Sequence, residues 1–362
     1  MTQAARDLRG ENRPPDWSRV RRVLLVRLRS IGDTVLMTPC LQALKDWQPG
    51  VEIGVVTEPV AAPVLEGHPL VDQLIVVGKS PASRLSVVSR IVRERFDLAF
   101  DLHGGTTAMM LTAMSGARHT VGYRGRRGSW LLSSRAPGPD VILGRTRIHS
   151  VEQQLALLLW TGVPMPAQPR LSLAIDPGAV SSLRTKLISA GIDVTALTSR
   201  RFAIVAPGAT FDSKRWSSPG FGAVIDHLRS RWQLESIVIA GPGQERLAAD
   251  VAAASHSNAR VLTSIGVAEL KALVETFGRV FVGNDGGPMH IAAALYCPVA
   301  AVFGSSNPDV WHPWTDAAHR VVGGERGAGD SDARGAINRI AVAEVIEAVD
   351  QVLESAATQA PS

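Results

Sequence analysis

Cysteine is almost missing from this 362-residue chain, which holds two, Cys40 and Cys297, both inside apolar segments. Two such cysteines form neither a disulfide framework nor a zinc cluster. The chain also lacks any apolar run near the roughly 18 residues of a membrane-spanning helix. The polar stretch from Met1 to Trp17 has no apolar core like that of a signal peptide. We therefore expect a cytoplasmic protein with no transmembrane segment.

Several catalytic and cofactor motifs are missing as well. There is no GxxxxGK[ST] phosphate loop, no GxSxG nucleophile turn, and no His, Cys and Asp group with metal-ligand spacing. Asp330 and Asp332 form the one Asp-x-Asp string, but the glycine-rich residues 323–335 around them predict a mobile loop. With two tyrosines and few other aromatics, the chain also lacks the stacking motifs of nucleic-acid binders. We expect neither a metal nor a nucleic-acid partner.

Charge is distributed unevenly along the chain. Residues 1–175 carry 22 Lys and Arg against 14 Asp and Glu, a net charge of +8, and the remainder carries 16 against 19, a net charge of −3. A basic half can attract nucleic acid, an anionic membrane surface or an anionic substrate. A solvated, arginine-rich surface explains the same composition, and charge alone favours that plainer interpretation.

What the sequence does contain is an alternation of short β-branched runs with helical patterns, which is typical of parallel βαβ units in an α/β fold. Several strands are continuously apolar, as expected when helices cover both faces of a sheet. The predicted strands are Val23–Leu28, Val51–Val56, Leu74–Val77, Asp97–Phe100, Thr120–Tyr123, Phe202–Ala206, Ser236–Ala240, Val280–Val282 and Val299–Phe303. The predicted helices are Leu36–Trp47, Leu85–Arg95, Phe221–Arg231, Glu245–Ala254, Val267–Thr276 and Val342–Leu353.

The length suggests two domains. A flexible N-terminus, residues 1–20, precedes a first Rossmann-like domain at 21–175, and a linker at 176–200 leads to a second such domain at 201–335. In residues 336–362 we expect a helix that packs back on the first domain, followed by a tail. Two α/β units that face each other would form a cleft at the carboxyl ends of both sheets, where ligands usually bind.

The loop after the first strand, Arg29 to Asp33, runs through a tight turn into a helix. Its one glycine, Gly32, excludes the three-glycine dinucleotide fingerprint, so a nicotinamide cofactor is not expected. Asp33 at the helix start is either a capping residue or a carboxylate at the ligand-binding edge of the sheet. The helix dipole and the nearby Arg27 would keep it ionised and able to accept a proton. These residues alone leave the two interpretations nearly equal.

Three loops of the second half suit an anionic ligand. Residues 283–290, Gly-Asn-Asp-Gly-Gly-Pro-Met-His, follow a strand and open a helix, so free N–H groups at the helix start can bind phosphate. A simple strand-to-helix turn capped by Asp285 or Asn284 is the plainer alternative, which three glycines, a proline and a histidine within eight residues disfavour. Residues 206–216 bring Lys214 and Arg215, which can neutralise a diphosphate. Glu245, after a glycine-bearing turn, either holds ribose hydroxyls or complements its helix dipole.

Taken together, the motifs at residues 29–33, 206–216 and 284–290 resemble those of glycosyltransferase family 9, the heptosyltransferases that use ADP-heptose to build lipopolysaccharide. The resemblance extends from about Arg21 to Leu353 and includes residues 101–104 and 116–123. It implies a GT-B fold of two Rossmann-like domains and metal-independent transfer with inversion at the anomeric carbon. It also implies no cofactor besides the nucleotide-sugar substrate.

The resemblance assigns roles to residues of this chain. Asp33 matches the general base, Thr210 and Lys214 match residues that hold the diphosphate, and Glu245 matches a residue at the nucleoside. Asp285 matches a donor contact, with Gly286, Gly287 and His290 at the phosphate-binding helix start. Gly286 stands where many relatives have Ser or Thr, so one hydroxyl contact is missing here, and His103 stands where Gln is common.

The basic first half fits an anionic glycolipid acceptor at the inner face of the inner membrane, where the enzyme would be peripheral. His103, Arg118 and Arg124 are the predicted acceptor contacts, with Arg126 and Arg127 beside residues 130–132, Trp-Leu-Leu. A surface loop rich in arginine explains each of these residues equally well. A sugar-nucleotide epimerase with a similar two-domain layout is the alternative function, and it would act without any acceptor.

Overall fold

A computed structural model describes residues 15–192, 202–324 and 337–359. The chain divides into two compact units, Met1–Ala174 and Ile175–Ser362. Most of the expected flexible N-terminus, most of the loop at 323–335 and the Asp330-Ser331-Asp332 string lie outside the described residues. Residues 15–20 are described, and there the Trp17 indole donates a 2.9 Å hydrogen bond to the Thr161 carbonyl.

The first unit is built on one six-stranded parallel sheet in the order β3-β2-β1-β4-β5-β6. Its core strand β1 pairs with β2 on one side and β4 on the other, and Leu24, Leu25 and Val26 are fully buried. The strands are β1 Arg22–Val26, β2 Glu52–Thr57, β3 Gln73–Val76, β4 Leu98–Asp101, β5 His119–Tyr123 and β6 Ser134–Ala136. The helices are Ile31–Leu36, Thr38–Trp47, Ala62–Leu65, Pro81–Glu94, Thr106–Ala113, Pro139–Leu143 and Ser150–Trp160.

The second unit repeats this plan with the order β12-β11-β10-β7-β8-β9, again parallel throughout. The strands are β7 Phe202–Ala206, β8 Glu235–Ile239, β9 Arg260–Leu262, β10 Gly278–Asn284, β11 Val299–Phe303 and β12 His319–Gly323. The helices are Pro177–Ser189, Ser218–Trp232, Glu245–Ala254, Val267–Phe277, Gly287–Ala294, Pro308–Trp311 and Val342–Gln359. Both sheets therefore have the Rossmann strand order 3-2-1-4-5-6.

This order fixes where each unit can bind a ligand. In a doubly wound sheet the ligand sits beyond the carboxyl ends of the strands, where the strand order reverses. That switch point lies between β1 and β4 in the first unit and between β7 and β10 in the second. The α/β class and the Rossmann character of both units, predicted from the sequence, are confirmed.

The strands that the sequence missed are β6, β9 and β12, which are short strands at sheet edges. Edge strands need fewer apolar residues, so their pattern is weak. The helix predicted over Leu36–Trp47 spans Thr38–Trp47, with Pro39 in its first turn, and a separate helix, Ile31–Leu36, ends just before it. Pro39 lacks the N–H that a continuous helix would use there.

The expected packing of the C-terminal helix on the first domain is wrong. Val345, Val349 and Leu353 are fully buried in the core cluster of the second unit, together with Phe221 and Val224. The Asp350 carboxylate accepts hydrogen bonds from His227 at 2.7 Å and from the Trp232 indole at 2.6 Å. The apolar spacing of this helix predicted a buried face correctly, but spacing does not indicate which sheet that face covers.

No helix of the part of the chain described here is long and apolar enough to cross a membrane.

Candidate active site

Asp33 lies in the first turn of helix Ile31–Leu36, directly after β1 at the switch point of the first sheet. Its Oδ2 accepts hydrogen bonds from the backbone N–H and the hydroxyl of Ser30, both at 3.0 Å. Its Oδ1 accepts from the guanidinium of Arg27. The carboxylate therefore caps the helix and is paired with a cation at once, so the two interpretations drawn from the sequence are compatible.

Arg27, the residue directly after β1, holds the Asp33 carboxylate in place. The side chain is buried, and its guanidinium also donates to the carbonyl of Leu102, which follows β4. Burial lowers the pKa of Arg27, while the charges of Asp33 and Asp101 act in the opposite direction. Because arginine stays protonated in proteins, Asp33 faces a fixed positive charge.

Asp101 ends β4, beside the switch point, and is 2% exposed. Its Oδ1 accepts hydrogen bonds from the backbone N–H groups of His103 at 3.0 Å and Gly104 at 2.8 Å. Burial raises the pKa of Asp101, although those two N–H groups and the charge of Arg27 lower it. Asp101 shapes the loop that carries His103, and the sequence reasoning gave it no role of its own.

His103 is half-buried on this loop. Burial and then the nearby charge of Arg27 lower the pKa of His103, whereas Asp33 acts to raise it. The imidazole is therefore neutral at physiological pH and able to accept a hydrogen bond. The structure thus brings His103 and Asp33 to one edge of the sheet.

The two arginines predicted to contact the acceptor, Arg118 and Arg124, lie at opposite edges of the first sheet. Arg124 directly follows β5 at the carboxyl edge, exposed, with its backbone N–H bonded to the Ala136 carbonyl at 2.8 Å. Arg126 lies near the same loop, since a Cβ built on Gly104 would be 3.4 Å from its Nε. Arg118 immediately precedes β5 and therefore lies at the opposite, amino edge of the parallel sheet. The structure does not bring Arg118 together with Asp33.

In the second unit, Asp285 follows β10 at the switch point and is 5% exposed. Its Oδ2 accepts hydrogen bonds from Lys214 Nζ at 2.7 Å and from the Ser306 hydroxyl at 2.5 Å. Lys214 belongs to the loop after β7, and Ser306 to the loop after β11. Loops from three adjacent strands therefore meet at one buried carboxylate.

Asn284, the last residue of β10, holds the β7 loop in place. Its side-chain oxygen accepts from the Trp216 backbone N–H at 3.1 Å, and its amide donates to the Pro207 carbonyl at 2.7 Å. Trp216 packs edge-on against Phe221, with ring centroids 5.1 Å apart. The buried tryptophan and Asn284 together fix the segment that carries Lys214.

The remaining predicted donor residues occupy the same edge of the second sheet. Gly286 and Gly287 begin helix Gly287–Ala294, and His290 is buried one turn further along. Thr210 is exposed on the β7 loop, and Glu245 is exposed at the start of helix Glu245–Ala254 after β8. Glu245 Oε1 accepts from the Gly243 N–H at 3.1 Å, which closes its turn.

Sequence reasoning gave Ser306 no role, and it considered Asn284 only as a possible helix cap. The available signal was position, because Asn284 ends a strand and Ser306 follows one at the ligand-binding edge. Across the residues described, no group of three or more His, Cys, Asp and Glu side chains is placed to hold a metal ion.

Two Rossmann-ordered sheets, each with charged loops at its switch point, define an α/β protein with ligand-binding edges at the carboxyl ends of both sheets. A sequence model of glycosyltransferase family 9 (heptosyltransferase) matches residues 84–338. Because that match covers more than half of the chain, the protein belongs to this family and is a glycosyltransferase. The resemblance inferred from the motifs is confirmed.

Individual relatives agree with this assignment. Lipopolysaccharide heptosyltransferase 3 from Escherichia coli is 26% identical over 349 residues, which cover 91% of this chain and 99% of that protein. A family 9 glycosyltransferase structure from Veillonella parvula matches with a TM-score of 0.79 at 22% identity, over 92% of this chain and 97% of the other. The structure of E. coli ADP-heptose lipopolysaccharide heptosyltransferase II matches with a TM-score of 0.74 at 22% identity, over 92% and 98%. These likenesses support the predicted GT-B fold.

Proposed function

We propose that this protein is a metal-independent, inverting heptosyltransferase that transfers a heptose from ADP-heptose to the lipopolysaccharide inner core or a related glycolipid. The observation that carries the proposal is the pairing of charges at the two switch points, Asp33 with Arg27 and Asp285 with Lys214. The relatives, which are lipopolysaccharide heptosyltransferases, supply the sugar and the class of acceptor. We place the reaction in the cytoplasm at the inner membrane surface, where such an acceptor would be presented.

The second unit is the proposed donor half. The start of helix Gly287–Ala294, with two glycines and a proline in its first turn, offers N–H groups and a positive dipole end to the diphosphate. Lys214 supplies a positive charge on a flexible stem, and Thr210 lies four residues earlier on the same loop. Glu245 is the proposed contact to the nucleoside, and His290 supports the helix start from its buried position.

The first unit is the proposed acceptor half, with Asp33 as general base. Ser30 and Arg27 hold both carboxylate oxygens, so the group is oriented before substrate binds. Neutral His103 and exposed Arg124 are the proposed contacts to the acceptor sugar and its anionic groups. Arg118 lies at the other edge of the sheet, so we do not assign it a contact with the acceptor sugar.

The proposed step is a single displacement. Asp33 takes the proton of the acceptor hydroxyl as its oxygen forms a bond to the anomeric carbon of the heptose. The bond from that carbon to the diphosphate oxygen breaks on the opposite face, so the configuration inverts. Lys214 and the helix start stabilise the negative charge that develops on the leaving ADP.

The experiment is a transfer assay with ADP-heptose and a heptose-less core acceptor, with and without EDTA. We expect ADP and an elongated acceptor in equal amounts, an inverted anomeric configuration by NMR, and no effect of EDTA. The epimerase alternative instead predicts a new sugar nucleotide when the acceptor is omitted. A retained configuration or inhibition by EDTA would overturn the corresponding part of the proposal.

A further inference from the structure

Three segments of the first unit form a continuous outer surface. Helices Pro81–Glu94 and Thr106–Ala113 pack on the same face of the sheet, because Val87 and Ile91 of one and Ala108 and Leu111 of the other share one core cluster. The turn Ser129–Leu131 contacts the second helix. These three segments are called the outer face below.

The outer face exposes an unusual amount of apolar side chain. Trp130 is 73% exposed and Leu85 is 67% exposed. The other exposed apolar side chains of the face are Val92, Met110, Met114 and Leu131. Large apolar groups that remain exposed in one region usually mark a site of interaction.

Close approaches join the three segments of the outer face. A Cβ built on Gly116, two residues after Met114, would lie 3.7 Å from Val92, so the first helix borders the end of the second there. A Cβ built on Gly128 would lie 3.5 Å from Met109, so the turn packs on the second helix. The exposed apolar side chains are therefore carried by three adjoining segments.

The segments that form the outer face are rich in arginine. Residues 81–95 and 102–139, which include these segments and their flanks, contain nine arginines and one acidic residue, Glu94. The arginines are Arg84, Arg90, Arg93, Arg95, Arg118, Arg124, Arg126, Arg127 and Arg135. Exposed apolar side chains on such basic segments complement a surface that is anionic outside and apolar beneath.

We propose that the outer face docks this protein on an anionic lipid bilayer. Trp130 and the aliphatic and methionine side chains would enter the boundary between head groups and acyl chains, and the arginines would pair with lipid phosphates. A second copy of the chain fits poorly, since two such faces would repel each other. Nucleic acid fits poorly as well, because Leu85, Val92 and the methionines offer no ring on which a base can stack.

The inference deepens the proposed function, on which it rests for the presence of a lipid-linked acceptor. The outer face lies close to the loop that carries His103, a proposed acceptor contact. Arg126 lies near Gly104 of that loop, and its charge opposes the burial that raises the pKa of Asp101. Docking through this face would bring the edge that holds Asp33 to the membrane surface. Arg118, which is remote from Asp33, would then be one of the arginines that pair with lipid phosphates.

The test is flotation of the full-length protein with lipid vesicles at low salt. Vesicles of phosphatidylcholine alone are compared with vesicles containing about one third phosphatidylglycerol. We expect flotation with the anionic vesicles, little with the neutral ones, and release as salt is raised, because the arginine contacts are screened. Equal binding to both vesicles, or binding to neither, would overturn the proposal.

Two variants place the binding on the outer face. The double substitution Trp130→Ser and Leu131→Ser should weaken binding to anionic vesicles at least about fivefold, since apolar insertion is lost. The charge reversal Arg127→Glu should also weaken vesicle binding, because it replaces an attraction to lipid phosphates by a repulsion. The matched control is Ile188→Ser with Tyr296→Ser, which removes two exposed apolar side chains of the second unit and should leave binding unchanged. Circular dichroism checks that each variant is folded.

The other possible occupants give distinct results. Tighter binding to single-stranded nucleic acid than to anionic vesicles, or a dimer that the Trp130 and Leu131 double variant dissociates, would contradict the lipid assignment. Vesicle binding needs no sugar donor, so it is measured independently of transfer. Binding without transfer activity would contradict the proposed function alone, and transfer without vesicle binding would contradict this inference alone.

Discussion

Each switch point holds an ion pair between an aspartate and a basic residue, and the two ion pairs differ in which partner is buried. In the first unit the cation, Arg27, lies on the strand side of its carboxylate, with a side chain 10% exposed and a second bond to backbone. In the second unit the cation, Lys214, lies in a loop, with a side chain 26% exposed. The buried charge of the second pair is the carboxylate, Asp285, and that of the first is the guanidinium.

This difference suggests a division of labour. A planar guanidinium that is anchored twice cannot leave its partner, so it suits a site where a carboxylate must stay ionised and oriented. An ammonium on a flexible stem can exchange its carboxylate partner for a phosphate oxygen. We therefore expect the first site to perform the proton transfer and the second to bind and release the diphosphate.

The largest expected effect is on turnover in the first unit. Asp33→Asn keeps the shape of the side chain but removes the base, so kcat should fall by about 10²–10⁴-fold. Asp46→Asn, an exposed aspartate on helix Thr38–Trp47, is the matched control and should retain full activity. Transfer to a heptose-less acceptor is the measurement, and full turnover by Asp33→Asn would exclude this residue as the base.

The next effect is on the leaving group in the second unit. Lys214→Ala should lower kcat/KM by about 10²-fold, because one charge that stabilises the transition state is lost. Arg260→Ala serves as the control, since Arg260 is an exposed cation at the amino end of β9, the edge opposite the site. An equal loss in both variants would show that a general loss of positive charge, and not the Lys214 charge itself, limits the rate.

A stability measurement tests the framework role of Arg27. Arg27→Met should lower the free energy of unfolding by about 3 kcal/mol, because it leaves the partly buried Asp33 without its cation and the Leu102 carbonyl without this donor. Lys214→Met should have a cost of similar size, because it leaves Asp285, which is 5% exposed, without its cation. Urea titration of both variants gives the values, and a cost near zero for Arg27→Met would show that its guanidinium does not hold the framework.

The smallest effect is on the pH dependence of stability. Burial raises the pKa of Asp101, so the wild type loses stability as pH rises from its unfolded pKa through the higher folded pKa. Asp101→Asn removes that loss, and its oxygen can still accept from His103 and Gly104. The stability of this variant relative to wild type should therefore be more favourable at pH 7 than at pH 4.

Glu269 of the second unit provides the opposite case. Burial alone would raise its pKa, but hydrogen bonds from Lys186 and Ser182 lower the pKa of Glu269 overall. Its stabilising contribution is present above the unfolded pKa and is lost as pH falls through the lower folded pKa. Glu269→Gln should thus cost more at pH 7 than at pH 4. If both variants responded to pH in the same direction, one of the two assignments would be wrong.

The interior of each unit could be predicted from the sequence because interior strands are continuous apolar runs. Phe202–Ala206 and Val299–Phe303 have the predicted bounds, and the glycines at 286–287 marked a helix start. The edge strands β6, β9 and β12 carried no such signal, whereas the edge strand β3 is apolar enough to be predicted. The two neighbours that complete the sites, Asp101 beside Arg27 and Ser306 on Asp285, lie far along the chain from their partners, so only the strand order brings them together.

The division of labour is tested most directly by calorimetric titration of ADP-heptose into the wild type, Asp33→Asn and Lys214→Ala. The account predicts that Asp33→Asn binds the donor as tightly as the wild type although it does not turn over. It also predicts that Lys214→Ala binds the donor at least about tenfold more weakly. Donor binding that Asp33→Asn weakens as much as Lys214→Ala would contradict the assignment of donor and base to separate sites.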